Sequence, residues 1–397
     1  MVERPAALGG RPVRRTPLAF HRHWLTAAEL QAAVRVLRSE WVTAGPIVAQ
    51  WERALARTLA CPHVVAVSSC TIGLTLALEA SGVARGDEVI TTPLTFAATA
   101  NVIVHQGAVP RFVDVDPATL TLDPGAAAEA VTRKTRAVLP VHLAGQPCEL
   151  GPLLALARAR HLALIEDAAH AFGARYHQRP IGAWGGTAVF SFHAVKNLTT
   201  IEGGAIATRS APLARRLRRL ALHGIDQSGW QRTQAGRWHY LVHEAGYKAN
   251  FTDVQAAIGL VQLRRFEALQ RRRQRIVTAY QRAFASCPEL LVPGEAPGTH
   301  HAWHLYLLRL RLERLRISRD GFLKALAAEG VTGNLHYPPV HLQPYYRRTF
   351  GYRRGDCPVA ERAAAQLLTL PLYPVMTDQD VKDVVTAVTK LVRYYAR

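Results

Sequence analysis

Residues 162–208 read LALIEDAAHAFGARYHQRPIGAWGGTAVFSFHAVKNLTTIEGGAIAT. The apolar run at 162–165 closes on Glu166 and Asp167, and a short continuous run of this kind reads as a buried strand of a parallel sheet. Asp167 then stands at the strand's carboxyl end, the edge where open α/β sheets bind ligands. A second run, 187–192, delivers Ser191, and Lys196 follows just past His193. Glu202-Gly203-Gly204 turns the chain back into a third short strand over 205–208. A carboxylate, a hydroxyl and an amine are thereby expected on one rim.

Upstream, a strand at 64–68 runs into Ser69-Cys70-Thr71 and a helix to about residue 80. Such a helix start offers free N–H groups and a positive dipole end to a phosphate, although a plain Ser/Thr N-cap explains the tripeptide equally. A strand at 88–92 leads through Pro93-Leu94-Thr95-Phe96 to a helix through Asn101. Strands at 109–115 and 137–142, a helix near Asp123 and Pro124, and another at 149–160 come next. This alternation predicts a mostly parallel sheet with helices on both faces. Thr26 and Glu29 form a capping box for an entry helix. Residues 224–246 carry Trp230, Trp238 and Tyr240 without a clear period, and long irregular segments are often functional; this one is expected over the substrate site. Thr252 or Asp253 starts a long helix ending near residue 286. Past the turn-rich VPGEAPG, a strand at 304–312, a helix at 318–329, a strand at 331–337 and a last helix from Asp378 predict a smaller α+β unit.

The 397 residues exceed what one core usually fills. The expected division is a flexible leader at 1–25, a large α/β domain at 26–260, a linking helix at 261–291 and a small C-terminal α+β domain at 292–397. The five cysteines are widely spaced without a C-x-x-C pair, which argues against a disulfide framework or a zinc knuckle. His300, His301 and His304 do not share one face at strand spacing, so no metal is expected. The formal charge of +20 invites a nucleic-acid reading. Only six of the 49 basic residues are lysine, and the arginines are dispersed. That is compositional drift rather than a built patch, so neither nucleic acid nor a membrane is an expected partner, though the field favours an acidic substrate. No apolar run nears the ~20 residues of a membrane span, and MVERPAALGGRPVRR lacks a signal-type apolar stretch. A cytoplasmic protein is expected.

An acid at one strand end and a lysine just past a neighbouring strand are what pyridoxal phosphate requires: an amine to condense with the aldehyde, and an acid to keep the pyridine nitrogen protonated. A surface ion pair is the plain alternative for the two residues alone. IEDAAHA, FSFHAVKN and EGGAIAT, taken together, resemble the DegT-type nucleotide-sugar aminotransferases, which are fold-type I pyridoxal phosphate enzymes. AVSSCTIGLTLAL, GDEVITTPLTFAATAN, VPRFVDVD, GYKANFTD, HAWHLYLL and LHYPPVHLQPYY extend the likeness from about Thr26 to the C-terminus. It looks closest to the branch forming UDP-4-amino-4-deoxy-L-arabinose.

The resemblance implies that Lys196 carries the cofactor and moves protons while Asp167 holds the ring nitrogen. It places Ser69, Cys70, Thr71 and Ser191 on the phosphate, Phe96 on the ring face and His170 beside the ring. His193 flanks the lysine, and Asn250 would reach the phosphate bound by the other subunit of a homodimer with shared active sites. His336 and Tyr337 match the substrate-side loop. The implied reaction takes an amino group from an amino acid, with L-glutamate expected, through pyridoxamine phosphate to the keto group of a nucleotide-linked sugar, with a 4-keto sugar expected. A cyclitol ketone is an alternative substrate. Sugar deoxygenases on the same scaffold carry histidine where this chain has Lys196, so the lysine speaks against them.

Overall fold

The computed structural model describes residues 3–397. Its frame is a seven-stranded sheet of β1 (His63–Val67), β2 (Glu88–Thr91), β3 (Val109–Phe112), β4 (Thr135–Leu139), β5 (Ala163–Asp167), β6 (Thr187–Ser191) and β7 (Gly204–Thr208). The spatial order is β1-β7-β6-β5-β4-β2-β3, and every strand is parallel except β7, which is antiparallel to both neighbours. Side chains alternate between the two faces, and because both faces are covered the central strands β5, β6 and β7 are buried almost throughout. Leu164, Ala188, Phe190, Ala205 and Ala207 face a core with Trp51, Phe172, Phe251 and Phe266. Ile165, Val189 and Ile206 face a second core with Leu74, Leu76 and Leu217.

A smaller antiparallel sheet has the order β8 (Leu290–Leu291), β9 (Tyr306–Leu310), β10 (Leu367–Leu370). Helices Arg319–Ala328 and Asp378–Tyr395 cover it through Phe322, Leu326, Val384 and Leu391. The 32-residue helix Asp253–Phe284 joins the two cores: Phe266 packs in the first, while Ile276, Val277, Tyr280 and Phe284 pack in the second. Thr252 and Gln255 form its capping box, and Asp253 accepts N–H bonds from Gly45 and Val48, both at 2.9 Å, to cap the helix Pro46–Thr58.

Two expectations change. No strand forms over 331–337, where Asn334 makes only a bridge to Thr369. Pro338 and Pro339 follow that segment and cannot donate to a ladder, so the segment adds only this bridge beside β10, whose own run is fully buried. The second concerns the expected loose leader, whose residues 3–18 are tied to the small unit. Fully buried Glu329 accepts N–H bonds from Ala6 (2.8 Å) and Val13 (3.1 Å) and pairs with Lys390 Nζ at 3.0 Å. Lys390 also donates to the Arg11 carbonyl at 2.6 Å, and Arg14 bridges Asp380 and Asp383. The leader lacks periodicity because its partners are distant in sequence.

Removing one member of a buried pair strands the other, at a cost of about 3–5 kcal/mol. Glu329→Gln is therefore expected to lower stability in urea denaturation by about 3 kcal/mol and to open the first 18 residues to trypsin. An unchanged urea midpoint contradicts this account of the arm.

Candidate active site

The carboxyl ends of β1, β2, β5 and β6 meet on one rim, where β7 begins, and there they enclose a cavity of about 350 Å³. Asp167, Lys196, Ser69, Cys70, Thr71, Phe96, His170, Ser191, His193, His336 and Tyr337 all line it. Asn250 does not: its Nδ2 donates to Thr43 Oγ1 at 3.2 Å, and it lines a separate cavity with Trp230 and Arg218.

Asp167 ends β5 opposite Val189 of β6 and is buried. Alternation sends its neighbour Glu166 to the other face, where His142 Nε2 lies 3.1 Å away. Asp167 Oδ2 accepts from Thr99 Oγ1 at 2.7 Å and Oδ1 from the Ala169 N–H at 3.1 Å. Burial raises its carboxyl above the usual range, and the Thr99 hydroxyl, the Ala169 amide and the Lys196 charge oppose that rise.

Lys196 sits on the turn after β6, closed by its own N–H to the His193 carbonyl at 2.9 Å. Asn197 ties that turn to the Ala302 carbonyl at 2.7 Å. Burial of the ammonium lowers Lys196 to about 8, against the raising influence of Cys70 and Asp167. An amine at that value is partly unprotonated near neutrality and can act as nucleophile or base. His193 Nε2 lies 3.5 Å from Glu202, with both side chains about half exposed, which makes the pair a weak one.

Ser69 Oγ caps the helix Cys70–Ala80 by accepting the Ile72 N–H at 3.2 Å. The plain cap is therefore present. The first-turn amides that no helix carbonyl reaches remain available to an anion. A β-carbon on Gly204 would sit 2.6–2.7 Å from backbone atoms of Ser69 and Cys70, so glycine alone lets β7 pass this turn. Burial pushes the Cys70 thiol well above its ordinary range. It stays a neutral donor, 3.6 Å from the Val189 carbonyl, and its part in the turn is that of its backbone.

His170 follows β5 on a turn. Its Nδ1 accepts the Ala144 N–H at 3.2 Å, and burial holds it well below its ordinary pKa. The neutral ring therefore carries its proton on Nε2 and donates to Tyr337 Oη at 3.1 Å. The Tyr337 hydrogen is then free to point into the cavity, and burial pushes that phenol above its usual value. Phe96 is 62% exposed at the mouth, 6.0 Å from the Tyr337 ring, so it is not a core phenylalanine. His336 Nδ1 lies 2.9 Å from Thr369 Oγ1. Residues 224–246 do not cover this cavity in their own chain; Trp238 is 89% exposed, with Tyr240, Leu241 and Val242 also bare. Thr95 and Thr99 were not among the expected residues, although their i, i+4 spacing beside a strand end is a readable signal.

The groups present suit pyridoxal phosphate. A buried carboxylate would suit a ring nitrogen, a helix start and Ser191 would suit a phosphate, and an amine with a lowered pKa would suit an aldehyde. Among the described residues no helix is long and apolar enough to cross a membrane.

Comparison with known proteins agrees. The sequence model of the DegT/DnrJ/EryC1/StrS aminotransferase family matches residues 24–389. The spore coat polysaccharide biosynthesis protein SpsC of Bacillus subtilis is 45% identical over 367 residues, covering 92% of this chain and 94% of SpsC. Spr1654 of Streptococcus pneumoniae, solved in its PMP form, superposes with a TM-score of 0.89 at 31% identity over 95% of this chain and 99% of its own; its PLP form gives 0.88. DesI, solved in the presence of its TDP-sugar product, gives 0.87 at 34% identity over 97% and 95% of the two chains.

The Lys196 environment makes a direct prediction. In cofactor-free protein, labelling of Lys196 by an amine-reactive reagent, followed by mass spectrometry across pH, is expected to be half-maximal near pH 8. Asp167→Asn removes a charge that raises the value, so its midpoint is expected lower still. A midpoint near the ordinary lysine value of about 10.4 contradicts the assignment.

Proposed function

Because the chain belongs to the DegT/DnrJ/EryC1/StrS aminotransferase family, we propose that it moves an amino group from L-glutamate, by way of pyridoxal phosphate, to the ketone of a nucleotide-linked 4-keto sugar. The observation that carries this reading is the meeting of Asp167, Lys196 and the Ser69-Cys70-Thr71 turn in one cavity. Pyridoxal phosphate, when bound, supplies an electron-accepting ring and a carbon that holds the transferred nitrogen.

This chain's residues supply the rest. Asp167 holds the proton on the pyridine nitrogen, and the amides at the start of helix Cys70–Ala80 hold the phosphate together with Ser191. Phe96 covers the ring and excludes water. Lys196, freed when the amino donor enters, takes the proton from the donor's α-carbon and later returns one to the sugar carbon. Tyr337, accepting from His170, turns its hydroxyl toward substrate oxygen. His336 lines the same side.

Asn250 faces away from its own chain's cavity, which suits the expectation that it serves the phosphate of a partner subunit. Trp230 and the bare aromatic stretch beside it belong to the same shared-site reading. The TDP-sugar of DesI and the polysaccharide role in the name of SpsC support a sugar substrate. Neither name carries the product UDP-4-amino-4-deoxy-L-arabinose, and that narrower likeness is not carried forward.

Two outcomes test the proposal. Glutamate is expected to abolish the visible band of the purified holoenzyme, and a TDP-linked 4-keto sugar is expected to restore it; a band indifferent to glutamate contradicts the reading. Lys196→Ala and Asn250→Ala subunits, each well below wild type alone, are expected to recover activity when refolded together. No recovery contradicts the shared site.

A further inference from the structure

One buried polar chain in the wall of the site has no assigned part. Thr95 and Thr99 are 2% and 1% exposed. Their hydroxyl oxygens are 2.6 Å apart, and Thr99 Oγ1 is 2.7 Å from Asp167 Oδ2. Hydrogen counting fixes the directions. An ionised carboxylate has nothing to donate, so the single hydrogen of Thr99 goes to Asp167. The Thr99 oxygen can then only accept, so Thr95 donates to it. The chain runs one way, from Thr95 to Thr99 to Asp167, and it polarises each O–H toward the carboxylate.

The geometry around Asp167 limits what else can do this. Oδ1 takes the Ala169 N–H at 3.1 Å, and among the described residues Oδ2 has no donor other than Thr99. A buried carboxylate with a single amide donor is poorly compensated for lost water. The helix Ala97–His105 that carries Thr99 is fixed by buried Ala100, Val102 and Ile103, so the hydroxyl is placed before any ligand arrives.

Resting on the reading of Asp167 given above, we propose that Thr99, backed by Thr95, is the positioning residue that keeps Asp167 ionised and aimed at the ring nitrogen. It lines the cavity wall, and it acts through Asp167 because its single hydrogen is committed to that carboxylate. Its hydroxyl, rather than its volume, does this, because valine fills nearly the same space without a donor.

The test compares Thr99→Val, Thr99→Ser, Thr95→Val and Asp167→Asn. Pyridoxal phosphate affinity of cofactor-free protein is measured by equilibrium dialysis across pH, and melting of the same proteins is recorded. A hydrogen bond to a charged group is worth about 1.5–3 kcal/mol, so Thr99→Val is expected to bind roughly tenfold or more weakly at neutral pH. Its acid limit of binding is expected to move up by about one pH unit, because Asp167 then protonates more readily. Thr99→Ser restores both quantities, and Thr95→Val shifts them the same way by less. If Asp167→Asn weakens binding while Thr99→Val matches wild type, the proposal is overturned. Equal weakening in the valine and serine variants, with a lowered melting point, shows packing alone and overturns it as well. Unchanged binding by Asp167→Asn instead sinks the underlying reading of Asp167.

Discussion

Taking a carboxylate and an amine out of water at the same rim is the constraint that the surrounding structure satisfies. Each charge alone is costly to bury. Asp167 and Lys196 oppose each other's burial penalty through their opposite charges, and Thr99 and Ala169 supply hydrogen bonds to the acid. The sheet makes this arrangement possible because β5 and β6 are parallel neighbours, so both carboxyl ends open on one side. The antiparallel β7 then returns the chain past the Ser69–Cys70 turn, where only glycine fits.

Neutral groups surround that pair. His170, fixed in one tautomer by the Ala144 amide, brings no charge of its own. His304, with ring centroid 4.6 Å from that of His170, is likewise held neutral by burial. The excess arginine of the chain stays out of the cavity, whose lining includes none. In the proposed reading a cofactor phosphate there would meet backbone amides and hydroxyls rather than guanidinium groups.

Much of this was legible in the sequence because its signals are local. The runs 162–165 and 187–192 are short, apolar and closed by polar residues, and each gave a strand with its polar group at the expected end. The capping box at Thr26 and the helix start expected at Thr252 or Asp253 fell where helices begin. Non-local interactions were not legible. The anchor of the N-terminal arm is Glu329, more than 300 positions away. Residues 331–337 meet β10 through a single bridge at Asn334, and the prolines that follow lie just outside the expected strand. Thr99 is a helix-face threonine whose importance depends on which strand end lies opposite. Asn250 lies in the recognisable GYKANFTD, and residues 224–246 read only as irregular, but a single chain leaves both away from its own cavity.

The measurement closest to the central claim is borohydride reduction of the holoenzyme followed by peptide mapping. The account predicts one pyridoxyl label per chain, on Lys196. A label on another lysine, or none, contradicts it.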